Sequence, residues 1–533
     1  MRLLPVMIIV TIMGLAVSAD HLWGARYEVS GEYRRDVIDY DENRREFSRE
    51  KVLVDFDGDI TLFLAHSYVR TLEEHDIAWN IFINNILPGS SLIMGNFMIH
   101  CGSGLIVGVR QYESSSPFAS RPFPTASFVV KPAYSGSPVY SFHGIAASQK
   151  FLFEPLSCSL YSFYSMRPRF ISEDDFKERK VGSSLGTING KTGERFPSVE
   201  PVYIRNFGLT AEIKGNDSCS LQMQYMGTDL TDSRLRALSW DFREDLPQES
   251  GLDGVTGLSI FARYGDDYFD AYAEAAMTGK SRTGKRGYIW NDGYAFSGGI
   301  RLRHPLFALA CTSTMTGNNY YAPDSSTAGL PRREWDMALS VRPWGALEAG
   351  ASHTGERKTV PGLYEKDLRS KIRERCYVKW HGKKLETLLD LSWIHKEGSG
   401  NEEKEIHGKG DVSCFLGKRV RADLGALSFH SVTCQKTSWS VMTGMAVTPI
   451  DILAIAFSYV RVQADKKVPL YLVVLPLQNA LASGISERGA GNILACKLAL
   501  KSGHGGFSLR YEQHLGQDGK GESRLEASGR LWW

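Results

Sequence analysis

Ser523-Arg524-Leu525-Glu526-Ala527-Ser528-Gly529-Arg530-Leu531-Trp532-Trp533 closes the chain. Leu525, Ala527, Gly529, Leu531 and Trp533 share one face, and Arg524, Glu526, Ser528 and Arg530 share the other. A period of two is the period of a β-strand, and a strand apolar on one face and charged on the other separates two environments. An aromatic final residue is what the last strand of a membrane-spanning β-barrel carries. An edge strand of a soluble sheet alternates in the same way, so the rest of the chain decides between them.

At the other end, Arg2 precedes an almost wholly apolar run, Leu3 to Val17, followed by Val17-Ser18-Ala19 and Asp20. This is the pattern of a secretory signal peptide with small residues at its cleavage site. The run falls short of the roughly 20 apolar residues that cross a bilayer, so removal after Ala19 is expected. No cysteine stands at the cleavage site to receive a lipid. The expected organisation is a signal peptide over 1–19 and one domain over 20–533. Beyond residue 20 the longest apolar stretch, Leu470 to Leu477, is too short for a membrane helix. Any crossing of a membrane is therefore made by strands.

Composition narrows the class. The chain has 62 basic and 60 acidic residues, with no basic excess that would point to nucleic acid. A mean hydropathy of -0.23 suits a soluble protein, but also a barrel, in which lipid-facing and lumen-facing residues cancel along each strand. The 52 glycines, 23 tyrosines and 11 tryptophans suit turns and interfacial aromatic girdles. The 8 cysteines stand singly, with no C-x-x-C pair for zinc or iron–sulfur ligation. Several share the apolar phase of a strand, such as Cys311 with Phe307 and Leu309 and Cys496 with Leu494 and Leu498, as small lipid-facing residues would.

Read backwards from Trp533, alternating segments are joined by tight turns on one side and long polar loops on the other. The tight connections are Asp57-Gly58, Pro88-Gly89, Glu154-Pro155, Gly215-Asn216-Asp217, Gly265-Asp266, His304-Pro305, Pro343-Trp344-Gly345, His381-Gly382, Gly417-Lys418, Thr448-Pro449 and Gly503-His504-Gly505. Between them loops are expected near 34–49, 70–75, 111–137, 166–201, 227–255, 278–292, 316–333, 354–372, 395–408, 431–435, 463–490 and 515–522. The tally is about 24 strands, an even number that leaves both termini, like the tight turns, on the periplasmic side. The expected fold is thus all-β: a transmembrane antiparallel up-and-down barrel with short periplasmic turns and long extracellular loops. A propeller would show a recurrent motif every 40–50 residues or so, and none is present.

Two segments display the facing rule. Leu453, Ile455, Phe457 and Tyr459 alternate with Ala454, Ala456 and Ser458, and Leu385, Thr387, Leu389, Leu391 and Trp393 alternate with Glu386, Leu388, Asp390 and Ser392. On this phase Arg301, Arg303, Glu386, Asp390, Arg421, Asp423, Arg510, Glu512, Arg524, Glu526 and Arg530 line the lumen. Opposite charges on such a wall pair across strands, at about 0.2–1 kcal/mol each, and filter solutes by charge if the lumen is water-filled. Near-equal numbers of the two signs favour neither ion. The outward Leu531 and Trp533 form the C-terminal signal that a barrel assembly machinery would read.

The motifs of enzymes and metal sites are missing. Gly186-Thr187-Ile188-Asn189-Gly190-Lys191-Thr192 is one residue short of a phosphate-binding loop. Asp55, Asp57 and Asp59 begin like a calcium loop, but position twelve is His66 where a glutamate must close the site; Asp57-Gly58 is a hairpin signal instead. No G-x-S-x-G elbow occurs, and the 13 histidines show no H-E-x-x-H spacing. Neither enzyme activity, nor a cofactor, nor a metal is expected.

Gly95-Asn96-Phe97-Met98-Ile99-His100-Cys101-Gly102-Ser103-Gly104-Leu105, then His143-Gly144-Ile145-Ala146, then Phe163-Tyr164-Ser165 resemble a family of large outer-membrane β-barrels of Gram-negative bacteria. Its members show a G-[DN]-[YF]-x3-[FC]-G-x-G-L core, an R-G-x-A segment and an F-Y-S strand; His143 stands here in place of the arginine. Some relatives carry an N-terminal helix-hairpin-helix module, which has no counterpart in this reading, so no nucleic-acid partner is implied. The resemblance implies fold and location, since the family's own role is poorly defined.

The expected role is a channel or porin-like passage for solutes. Outer-membrane lipid and the assembly machinery are the expected partners, with a small solute or a surface partner beside them. The alternative is a non-conducting surface or assembly protein whose loops bind a partner. So wide a barrel would leak if empty, and loops 111–137, 166–201, 227–255 and 463–490 are the candidates to fold inward. A TonB-dependent transporter would need a folded plug ahead of its first strand, whereas the first strand candidate, Tyr27-Val29-Gly31-Tyr33, begins close to the cleavage site.

Overall fold

Strict alternation allows each strand to bury no face of its own, so a chain of such strands must close on itself or aggregate. In the computed structural model it closes. The structure describes residues 26–38, 45–56, 58–69, 74–100, 102–106, 129–133, 142–169, 202–215, 218–229, 252–282, 288–289, 293–317, 320, 332–361, 366–398, 401–465, 470–472, 485–487, 490–503, 505–516 and 521–532. Twenty-four antiparallel strands run up and down in one sheet, from Arg26–Ile38 to Gly521–Trp532. Those two strands pair with each other, Val29 opposite Leu531 and Tyr33 opposite Ala527, which leaves the sheet without a free edge.

Pro88-Gly89, Glu154-Pro155 and Gly417-Lys418 fall between strands, and Gly58, Asp266, Pro305, Gly345 and Gly382 lie in such gaps too, whereas Thr448-Pro449 belongs to strand Lys436–Ile450, which turns at Asp451-Ile452. Asp55 shows why the turn at Gly58 forms. Its carboxylate accepts the Gly58 N–H at 3.0 Å and the Thr61 hydroxyl at 3.3 Å, closing the hairpin in place of any calcium.

The loop ends differ from the sequence expectation. Strands Leu347–Pro361, Lys366–His381, Leu385–Gly398 and Asn401–Leu416 run through most of 354–372 and 395–408. Apolar alternation stops there, but the backbone ladder does not depend on it. Ion pairs hold the extensions together: Lys396 with Glu405 at 2.6 Å and His395 with Glu402 at 2.9 Å. Short paired segments also lie inside three other expected loops, at Val129–Pro132, Tyr288–Ile289 and Leu470–Leu472 with Ile485–Glu487. The near-phosphate-loop stretch 186–192 lies outside the described residues.

The two faces separate cleanly. Leu389, Leu391, Met337, Leu339, Phe457 and Leu531 are exposed on the outside, while Ser392, Ala338 and Ser458 beside them are buried on the inside. Cys311 lies opposite Ile300 and Met337, both exposed, and Cys376 opposite Leu391, so these cysteines belong to the outer surface. The described cysteines are free thiols. Trp335 and Trp344 stand near the two ends of one strand, Arg332–Trp344. The step from Trp335 to Trp344, tilted by about 40°, rises roughly 23 Å, close to the height of the apolar band of a membrane barrel.

Candidate functional site in the barrel interior

The interior is built from two unlike stretches of wall. One is covered by the chain itself. Strand Ser90–His100 pairs with Glu74–Asn84 only from Asn80 opposite Gly95 to Asn84 opposite Ser91. At Gly95 the backbone turns to φ +96°, and a Cβ there would lie 2.2 Å from the Trp79 carbonyl. Beyond it the Asn96 side chain stands in for the ladder by accepting the Trp79 N–H at 3.1 Å. The rings of Trp79 and His143, which belong to strands on either side of this one, come within 5.6 Å of each other. They meet over Gly95, which has no side chain to keep them apart, and beyond it Phe97 and Ile99 are buried in the interior cluster. Val129–Pro132 pairs with the diverted end of Ser90–His100, and the Asn80 side-chain amide donates to the Ala133 carbonyl at 3.0 Å.

Gly102–Ile106 then lies along the inside of the wall, against strand Phe269–Arg282. Ser103 donates both its N–H and its hydroxyl to Glu274 Oε2, each at 2.6 Å. Gly102 has φ +46°, and a Cβ would lie 2.8 Å from the same carboxylate oxygen. The Tyr320 hydroxyl donates to the Leu105 carbonyl at 2.5 Å. Burial, and after it the Glu274 carboxylate, push the ionisation of Tyr320 well above the usual phenol range, so the hydroxyl remains a donor. Leu105 and Ile106 join Ile93, Phe97, Phe142 and Phe163 in one apolar cluster, with Phe97 stacked on Phe142 at 5.7 Å. Among the described residues Gly102–Ile106 folds inward, and Val129–Pro132 of the expected loop 111–137 pairs with the diverted strand, while most of the rest of that loop, and of 166–201, 227–255 and 463–490, lies outside the described residues. Gly102–Leu105 is the Gly-Ser-Gly-Leu part of the motif that carried the family resemblance.

The other stretch of wall is charged and half open. Strand Lys366–His381 turns Arg369, Lys371, Arg373, Arg375, Tyr377, Lys379 and His381 to the lumen, because Cys376, Val378 and Trp380 are the exposed outward set. Arg375 forks onto Asp390, and the Tyr377 hydroxyl donates to Glu348 at 3.0 Å. Opposite Arg373 and Arg375 stand only Thr354 and Ser352 on one side and Ile394 and Ser392 on the other. This row was legible in the alternation of 366–381, yet the sequence reading assigned its first residues to a loop.

Each lumen charge named from the sequence has a place. Arg301 and Arg303 converge with Arg263 on Asp270, at 2.5, 2.7 and 2.9 Å. Glu386 approaches His381 at 3.7 Å. Asp390 is held by Arg375, Arg421 donates to Asp423 at 2.8 Å, and Arg510 pairs with Glu512. In register, Arg524 lies opposite Glu512, Glu526 opposite Arg510 and Arg530 opposite Gly506. Leu531 is exposed on the outer face, and Trp533 lies outside the described residues. Asp270 and Glu274, which organise two of these contacts, went unnamed although both share the inward phase of Phe269–Arg282.

One arrangement recurs among these pairs. In several of them the acid is less exposed than the base: side chains are exposed 35% against 0% for Arg421 and Asp423, and 41% against 17% for Lys409 and Asp411. Lys214 with Glu212 and Arg342 with Glu348 repeat it. The physical cause is length, since a short carboxylate stays at the wall while Lys and Arg extend to water.

No family model and no curated protein matches the chain. Among solved structures, the P pilus usher (PapC) translocation pore is similar over 96% of this chain and 99% of that one, at 10% identity and a TM-score of 0.44. The ferric enterobactin receptor (PfeA) of Pseudomonas aeruginosa is similar over 95% and 81%, at 8% identity and a TM-score of 0.46. The copper transporter OprC is similar over 96% and 80%, at 8% identity and a TM-score of 0.44.

Proposed function

We propose that the chain is an integral outer-membrane barrel that gives solutes a passage, narrowed by the segment Gly102–Ile106. One observation supports this above the others: a closed 24-stranded wall, apolar outside, carries a half-exposed row of charges on the inside. Charges on a lumen that stays dry would have to be buried and fully paired; half-exposed ones belong in water. Export by the signal over 1–19, followed by insertion by the barrel assembly machinery, is part of the same proposal. Purified protein in a planar bilayer tests it. Discrete conductance steps are the expected result. A silent bilayer with protein that still shows heat-modifiable mobility favours the rival, a non-conducting surface protein. Orientation is checked separately: a tag inserted after Gly400 is expected to be accessible on intact cells and one after Gly382 is not.

A further inference from the structure

We propose that the solutes taken by this passage are anions, and that the inward row on Lys366–His381 is the track that selects them. This rests on the reading of the barrel as a passage.

The row places Arg369, Lys371, Arg373, Arg375 and Lys379 on one face of one strand, with no acid among the described side chains of that face of the strand. Arg369, Lys371, Arg373 and Arg375 follow one another two residues apart, roughly 6.6 Å along the strand, within a Debye length of about 8 Å at physiological ionic strength, and Lys379 stands roughly 13 Å beyond Arg375. The fields of the first four therefore overlap into one positive stripe, with Lys379 continuing it toward the other end of the strand. Like charges at that spacing repel. Asp390 holds Arg375, and Glu356 and Glu348 lie opposite Lys371 and Lys379, so neighbouring acids relieve only part of the repulsion along the row, and an anion moving along it relieves more. The residues directly opposite Arg373 and Arg375, Thr354 and Ser352 on one side and Ile394 and Ser392 on the other, include no acid.

Four ion pairs elsewhere on the wall act in the same sense. Acids and bases are nearly equal in number, but they are not equally accessible. Asp423, Glu212 and Glu348 are buried while their partners Arg421, Lys214 and Arg342 are partly exposed, and Asp411 is less exposed than Lys409. A solute in the lumen meets the cation of these four pairs before the acid, so on this part of the wall the charge it senses is more positive than the count of residues.

The reversal potential of the purified protein in a potassium chloride gradient tests the inference, with chloride as the probe. Wild type is expected to pass chloride several-fold better than potassium at 0.1 M salt, and less selectively at 1 M, where the Debye length falls to about 3 Å. The triple variant Arg369→Gln/Lys371→Gln/Lys379→Gln is expected to bring the permeability ratio to about one. Arg333→Gln/Arg357→Gln, a pair on the outer face, is expected to leave it unchanged. A cation-selective or unselective wild type, or a triple variant as anion-selective as wild type, overturns the proposal. If the bilayer is silent, tripolyphosphate binding to the folded protein by titration calorimetry decides instead. Binding that is lost in the triple variant keeps the anion track while the passage reading fails. No binding to wild type overturns the track as well.

Discussion

The wall from Val202 to Arg282 and the wall from Lys366 to Ser431 are made of the same alternating strands, yet their inward residues differ in kind. On the first they are largely neutral, with Asn206, Thr210, Gln222, Gln224, Thr256 and Ser259 all buried. On the second they are Arg369, Lys371, Arg373, Arg375, Lys379, Lys396, Lys409 and Arg421, most of them partly exposed. Alternation decides which residues point inward in both. What lies inside decides which residue types can stand there: covering a neutral polar side chain with protein costs far less than covering a charge. The composition of an inner face thus reports whether that stretch meets protein or water.

The largest expected effect is on the covered side. Phe97→Ala empties the centre of the apolar cluster and is expected to cost about 3–5 kcal/mol. It is expected to expose Gly102–Ile106 to proteolysis in folded protein and to raise single-channel conductance; unchanged proteolysis and conductance would detach that segment from the constriction. Ser103→Ala removes the hydroxyl bond to the Glu274 carboxylate and is expected to cost about 2 kcal/mol, and Tyr320→Phe about 1 kcal/mol. Denaturant unfolding in detergent measures both.

The open side is expected to respond less. Lys409→Ala breaks a 2.6 Å pair with Asp411, but its exposure to water limits the loss to roughly 0–1 kcal/mol. A loss as large as that for Phe97→Ala would mean that the second wall is covered too.

The smallest effect concerns the turn between the two covered strands. Asp266 accepts the Tyr268 and Phe269 N–H groups at 2.8 and 2.7 Å, and these bonds hold its carboxyl below the usual carboxylate range. A depressed folded-state value stabilises above the unfolded pKa, and the contribution is lost as pH falls through the folded one. Hydrogen exchange at this turn is expected to quicken as the pH is lowered through the acid range in wild type. In Asp266→Asn it is expected to be nearly pH-independent apart from intrinsic chemistry, and identical profiles would remove the cap.

Most of the barrel was legible in the chain. The eight residues from Leu385 to Ser392 and the turn residues at Asp57-Gly58 or Gly417-Lys418 each carry their own local signal, period and turn chemistry, and these need no knowledge of partners. Strand extensions such as 366–373 were missed because they lie above the apolar layer, where charge pairs and not burial maintain the ladder. The turn of the backbone at Gly95 left no such signal. Leu105 and Ile106 are apolar residues whether they face lipid or the lumen, and only the contacts with Glu274, Phe163 and Tyr320 distinguish the two. That several acids are less exposed than the bases paired with them was likewise beyond a count of charges, because it depends on side-chain reach in three dimensions.

Thiol accessibility in the lumen tests the difference between the two walls most directly. Lys379→Cys and Gln224→Cys are each prepared with Cys219→Ser and Cys434→Ser, which remove two exposed thiols beside hairpin turns, and labelling is measured against the same background without the new cysteine. A sulfonated methanethiosulfonate is expected to label Lys379→Cys rapidly in membranes and Gln224→Cys only after unfolding. Equal labelling of the two, or none at position 379, would contradict an open basic wall facing a covered neutral one.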